Sequence, residues 1–153
     1  MKARSLMRRD IEACIPTDTA AKAVEIMQRR NCGFIPVIRS FEDWHLEGVF
    51  TDRDLALFLG KTDRRPSEVH VGEFCCRRVK SVFEDDVSHT VIALMEAAKI
   101  HRVPVVDRSG RLTGIISLKE MAEEAYREKD IEFPPEIPER EIAEIVESIS
   151  SAH

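Results

Sequence analysis

The chain contains itself twice. Met27–Pro36 and Met95–Pro104 superpose without a gap at a shift of 68 residues (104 − 36), and the same shift pairs Ile11 with Val79, Asp18 with Asp86, Val24 with Ile92 and Val37 with Val105. Further on, Gly48-Val49-Phe50-Thr51 pairs with Gly114-Ile115-Ile116-Ser117 at a shift of 66 (114 − 48), so the first copy has a loop two residues longer. A repeat of this length sets the architecture before any local propensity does. Two copies predict two similar halves about a pseudo-two-fold axis, with a groove lined twice by corresponding residues.

Each copy reads as strand, helix, strand, strand, helix. In the first, Ala13–Pro16 is a short extended piece. Thr17 or Asp18 can cap a helix running to about Arg30, with Ala20, Ala23, Val24 and Met27 as its apolar stripe. Phe34–Ile38 is rich in β-formers, and Pro36 removes one ladder donor, which suggests a strand edge. Leu46–Phe50 is the next strand; Thr51 or Asp52 opens a helix through Leu59, which Gly60 stops. In the second copy Val79–Val82 is extended and a helix spans about Val87–Lys99, with Val91, Leu94, Met95 and Ala98 inward. Strands follow at Arg102–Val106 and Arg111–Ile116, then a helix from Ser117 to about Lys129. The fold class is α/β: two tandem β-α-β-β-α repeats plus a short C-terminal helix. The expected boundaries are 2–60 for the first repeat, 61–70 for a polar linker, 71–129 for the second repeat and 130–153 for a tail. Pro134, Pro135 and Pro138 interrupt that tail, and Glu139–Ser150 places Ile142, Ile145, Val146 and Ile149 on one face. This amphipathic helix packs on its own domain, or it docks on a second subunit or another protein.

A formal net charge of −5 argues against a nucleic-acid footprint. No apolar run has the length of a membrane span, and the charged N-terminus lacks the hydrophobic stretch of a signal peptide, so a cytoplasmic location is expected. Cys14, Cys32, Cys75 and Cys76 show no C-x-x-C spacing, which favours reduced thiols, and no metal site is expected. Adjacent Cys75 and Cys76 leave a redox role open.

The strongest local signal for chemistry is Gly48-Val49-Phe50-Thr51-Asp52-Arg53-Asp54, at a strand-to-helix junction. A helix N-terminus attracts anions such as phosphate. Thr51 adds a hydroxyl, and Asp54 lies one turn deeper, where a carboxylate can accept the hydroxyls of a ribose. Ser117 and Glu120 match them in the second copy. The same spacing is also that of a helix-capping box. His101-Arg102, immediately before Val103-Pro104, supply cationic groups that can meet phosphate oxygens; Arg53 and Lys80 are further candidates. The alternative for these is a solvated strand edge. His45, His70, His89, His101 and His153 are scattered, and no nucleophile has a partnered base at recognisable spacing.

The duplicated Gly-apolar-apolar-Thr/Ser-x-x-acid motif, with a Pro-Val strand upstream, resembles the cystathionine β-synthase (CBS) domain, and the pair resembles a Bateman module. The resemblance covers about Lys2 to Tyr126. It implies a regulatory module binding AMP, ADP, ATP, S-adenosylmethionine or a related adenosyl compound in the inter-repeat cleft, a homodimer, a regulated partner protein and no enzymatic activity. Asp54 matches the family's ribose-binding acid and Thr51 its hydroxyl. Ser117 also matches, whereas Glu120 departs from the usual Asp. By the same resemblance, one pocket draws on Thr51, Arg53 and Asp54 together with Val79, Lys80 and His101, Arg102, Val103 and Pro104. The other draws on Ser117 and Glu120 with Ile11, Phe34 and Pro36. The contrasting reading is an interaction module with a degenerate cleft.

Overall fold

The computed structural model describes residues 1–129 and 139–150; the expected Pro-rich segment of the tail lies outside the described residues, as does the side chain of Ile149. The elements are α1 (Ala3–Leu6), α2 (Ala20–Arg30), β1 (Phe34–Ile38), β2 (Leu46–Thr51), α3 (Asp52–Leu59), β3 (Val82–Phe83), α4 (Ser88–Ala98), β4 (Arg102–Val106), β5 (Leu112–Ser117), α5 (Leu118–Lys129) and α6 (Glu139–Ser150). The fold is mixed α/β with two tandem repeats.

The chain divides into two compact units that do not follow the repeat order. One unit joins Met1–Ile11 to Lys80–Arg108 and to the chain from Thr113 onward; the other comprises Glu12–Val79 and Ser109–Leu112. The opening stretch of each repeat therefore belongs with the body of the other repeat. We call these stretches arms.

In the unit built on the first repeat, β1 and β2 pair antiparallel from Phe34↔Thr51 to Ile38↔Leu46. Cys14 bridges Val37 in parallel on one side. The Pro36 carbonyl accepts from Cys14 N at 3.0 Å, so its missing N–H falls on that side, where pairing is confined to a short stretch. On the other side Cys76 of the arm pairs with Val49, N–H to carbonyl in both directions, at 2.7 and 3.0 Å. The arm also places Val69 and Val71 in the core beside Ala20, Ala23, Ile26 and Phe50.

The second unit repeats the pattern of strand pairing. β3 runs parallel to β4, which neighbours β5. Arg8 of the N-terminal arm exchanges bonds with Ile115 at 2.9 and 3.1 Å, as Cys76 does with Val49. Ala3, Leu6 and Met7 enter the core with Val91, Met95, Val103 and Met121. Ile145 of α6 is buried in the same core and Ile142 packs against it, which places α6 on this unit; Val146, expected on the same face, is largely exposed.

The arms also finish the helices. Ala20 N, the first helical N–H of α2, donates to the Val69 carbonyl at 2.8 Å, and Ser88 N, the first of α4, donates to the Met1 carbonyl at 2.8 Å. Val71 N donates to Asp18 O as Ala3 N donates to Asp86 O, both at 2.8 Å. Orphan N–H groups at a helix start need such partners. The cap of α2 is Thr19, whose hydroxyl accepts from Lys22 N at 3.1 Å, rather than the expected Thr17 or Asp18. Asp18 is engaged instead in a turn, accepting from Ile15 N at 2.9 Å, as Asp86 accepts from Phe83 N at 2.8 Å. Two further expectations are corrected. Val24 is exposed while Ile26 takes the buried position in α2, and the strand expected at Val79–Val82 is confined to Val82–Phe83.

The repeated glycines mark where the arms cross. A Cβ on Gly48 would lie 3.0 Å from the Cys76 carbonyl oxygen and 3.2 Å from Cys75 Sγ; one on Gly114 would lie 2.5 Å from Met7 Sδ and 2.8 Å from Met7 Cβ. Gly48→Ala and Gly114→Ala should each cost about 1–3 kcal/mol in urea denaturation, the range for overpacking. Gly60→Ala, at an αR position with no atom nearer than 3.5 Å, should be neutral or stabilising. Equal effects at all three positions would contradict the arm packing.

Candidate functional site

Thr51 ends β2 and caps α3. Its hydroxyl accepts from Asp54 N at 3.2 Å, and its own N–H donates to Asp54 Oδ2 at 2.9 Å, a complete capping box. Asp52 N donates to the Gly33 carbonyl at 3.0 Å, and Arg53 N to Asp52 Oδ1 at 2.9 Å. All four N–H groups at the start of α3 thus have partners. In this structure those donors are engaged, and two carboxylates, Asp52 and Asp54, stand at the helix start.

Asp54 Oδ1 has no hydrogen-bond partner among the described residues, although the residue is half-buried. The capping reading and the ribose reading therefore coexist. One oxygen holds the helix start and the other remains an acceptor of full strength.

In the second repeat the same residues make different bonds. Glu120 Oε2 accepts from Ser117 N at 2.8 Å and also from the Ser117 hydroxyl. Leu118 N donates to the His101 carbonyl at 3.0 Å, the counterpart of Asp52 N to Gly33. Both acids thus turn back onto the residue that ends the strand, and one oxygen of each has no partner among the described residues.

The other candidates sort by unit. Phe34, Pro36, Thr51, Arg53, Asp54 and Val79 lie in the unit of the first repeat; Ile11, Lys80, His101, Arg102, Val103, Pro104, Ser117 and Glu120 lie in the other. Phe34 opposes Thr51 in the ladder. Pro36, Val103 and Pro104 are buried, and the Val103 side chain is part of its unit's core. Arg53, Lys80, His101 and Arg102 are exposed and have no acidic partner among the described residues. By contrast Arg29, Arg39 and Arg64 bind Glu12, Glu47 and Glu73. The candidate cations are thus available to an anion, whereas much of the remaining arginine is committed.

Missed by the sequence reading were the arms and an aromatic support beneath the site. Phe50 and Phe58 each meet Phe74 of the arm, with centroids 5.1 and 5.5 Å apart. A signal existed: the 68-residue shift (71 − 3) continues upstream through Ala3/Val71, Leu6/Phe74 and Met7/Cys75, apolar at each pair.

All four cysteines are free thiols. Cys75 and Cys76 are successive residues at the point where the arm bridges Val49, so they point to opposite faces: Cys75 packs against the core and Cys76 is exposed. Burial pushes Cys75 up and pushes Cys14 to about 12. No group of three or more potential metal ligands occurs among the described residues, and no described helix is long and apolar enough to cross a membrane.

Two tandem βαββα units, each with an acid one turn into the helix after its last strand, define a CBS pair. The CBS domain family model matches residues 3–61 and 71–127, and the chain belongs to that family. It is 29% identical over 114 residues to an uncharacterized protein of Methanopyrus kandleri, covering 74% of this chain and 57% of the relative. It is 30% identical over 120 residues to inosine-5′-monophosphate dehydrogenase of Methanocaldococcus jannaschii, covering 78% of this chain but 23% of the enzyme. The chain thus spans about half of the first relative and under a quarter of the second. Among solved structures, CBSX2 of Arabidopsis thaliana in complex with AMP superposes with a TM-score of 0.72 at 24% identity, covering 84% of this chain and 98% of that one. A CBS domain pair in complex with 5′-methylthioadenosine and S-adenosyl-L-methionine gives a TM-score of 0.69 at 21% identity, covering 80% and 94%. At these identities the likeness shows the fold.

Two outcomes are expected from the local geometry. Thr51→Ala removes the cap acceptor and should lower stability by about 0.5–2 kcal/mol in denaturant titration. A thiol reagent at pH 8 should modify Cys76 first and Cys14 only on unfolding; rapid labelling of Cys14 in the folded protein would contradict its burial.

Proposed function

We propose that the chain is a regulatory module that binds an adenosyl compound, such as AMP, ADP, ATP or S-adenosylmethionine, with the ribose anchored on Asp54 and Thr51. The observation that carries this reading is Asp54 itself: a half-buried carboxylate with one oxygen held in the helix cap and the other without a partner among the described residues. The fold is that of pairs solved with AMP and with S-adenosyl-L-methionine, which supports an adenosyl ligand. Arg53, Lys80, His101 and Arg102 are the groups for a phosphate or another charged substituent. A homodimer, a regulated partner protein and the absence of catalysis belong to the same proposal.

A ligand acts as a regulator only through different affinities for two states of the protein. The arm beside β2 is a candidate for the responding element, since its Cys76 bonds Val49 two residues before Thr51.

Asp54→Asn tests the anchor without deleting the cap. The amide oxygen can still accept from Thr51 N, while the free acceptor becomes a donor. Calorimetry with the adenosyl compounds should show affinity weakened about tenfold or more, since a charge-assisted hydrogen bond is worth roughly 1.5–3 kcal/mol. Unchanged affinity in the variant would reject the ribose assignment.

A further inference from the structure

We infer that the groove between α5 and α6 seats α3 of a second copy of this chain, with Leu57 as the side chain that enters it. The inference rests on the homodimer proposed above and deepens it by naming the two surfaces that meet.

α6 gives the helices of one unit a cover that those of the other lack. Ile142 and Ile145 of α6 pack in one core with Ile92 of α4, which is 5% exposed. Val24, the counterpart of Ile92 at the 68-residue shift (92 − 24), is 41% exposed on α2. On α3, Leu57 is 51% exposed, whereas its counterpart at the 66-residue shift (123 − 57) is the charged Glu123. A single exposed apolar side chain is ordinary. Here two stand on the helix pair of the unit that has no counterpart of α6 among the described residues.

The receiving surface lies on the other unit. Ala122, Ala125, Tyr126, Ile142 and Ala143 line a groove of about 310 Å³ between α5 and α6. Tyr126 is 65% exposed at its edge, and the exposed Val146 lies one turn beyond Ile142. Charge selects the partner. α5 and α6 carry four acidic residues each, against three basic residues on α5 and one on α6. Among the described residues Glu147, one turn from Ala143, is exposed with no ion-pair partner, and Glu123 and Glu144 pair along their own helices with Lys119 and Arg140. Leu57 has the opposite setting. Arg53 precedes it by one turn and Lys61 follows it by one, both exposed and without an acidic partner among the described residues. The nearby carboxylates of Asp52 and Asp54 are taken up at the helix start. The apolar contact supplies affinity, and Lys61 facing Glu147 sets the orientation. Made once in each direction, the contact closes a two-fold dimer.

Sedimentation velocity of the full chain over a range of concentrations tests this, with folding of each variant checked by circular dichroism. Leu57, Lys61, Tyr126 and Glu147 are all exposed, so their substitution leaves both cores intact. The parent should dimerise, and Leu57→Glu and Tyr126→Glu should each weaken the dimer about tenfold or more, the scale set by one large apolar side chain left in water. Lys61→Glu should weaken it by a smaller factor, and adding Glu147→Lys should restore it, because the reversed pair still attracts. A dimer indifferent to both Leu57→Glu and Tyr126→Glu overturns the inference and leaves the homodimer standing on another surface. Weakening by Lys61→Glu that Glu147→Lys fails to reverse overturns the seat of α3 against α6. A parent that stays monomeric at every concentration overturns the homodimer reading itself, and the inference with it.

Discussion

The carbonyl of Val69 caps α2, and the carbonyl of Met1 caps α4. These two bonds stand for an exchange on which the rest of the structure depends. Each repeat is completed by the chain segment that leads into and opens the other one. The arm supplies the partner for the last strand of its host, apolar side chains for its core and acceptors for its first helix. Burying a valine is worth about 1.5–3 kcal/mol, and Val69 and Val71 are both fully buried. A first repeat cut at its sequence boundary would leave those contacts and the first helical N–H of α2 without partners. The glycine before each Thr/Ser motif follows from the same exchange, because the arm backbone or side chain lies where a Cβ would be.

The exchange also explains what the sequence could and could not disclose. The repeat was legible because corresponding residues do the same job, down to Asp18 and Asp86 in equivalent turns. β1, β4 and α3 were legible from β-branched runs, a Pro with a one-sided cost and a Thr-x-x-Asp box. The arms were not, since short apolar pieces in a polar stretch such as residues 61–76 show no period long enough to assign. Their pairing is set by tertiary contact. Val24 shows the same limit: apolar type placed it on the stripe, but the face of α2 is fixed by Ala20, Ala23 and Ile26 under β1.

At the site, the residue types were legible and the bonding state was not. Thr51 with Asp54 and Ser117 with Glu120 look alike in sequence, and both can be capping pairs. Only geometry shows that Asp54 takes the Thr51 backbone N–H alone, whereas Glu120 takes the Ser117 hydroxyl as well. The start of α3 shows the same limit. Asp52 was read for its position at the helix start, but its carboxylate occupies the N–H group that an anion would use.

The most direct measurement is a crystal structure of the full chain with AMP or S-adenosylmethionine. The account predicts a ribose hydroxyl within hydrogen-bonding distance of Asp54 Oδ1, with the bonds between Thr51 and Asp54 intact. A ligand seated elsewhere, with that oxygen still unengaged, would contradict it.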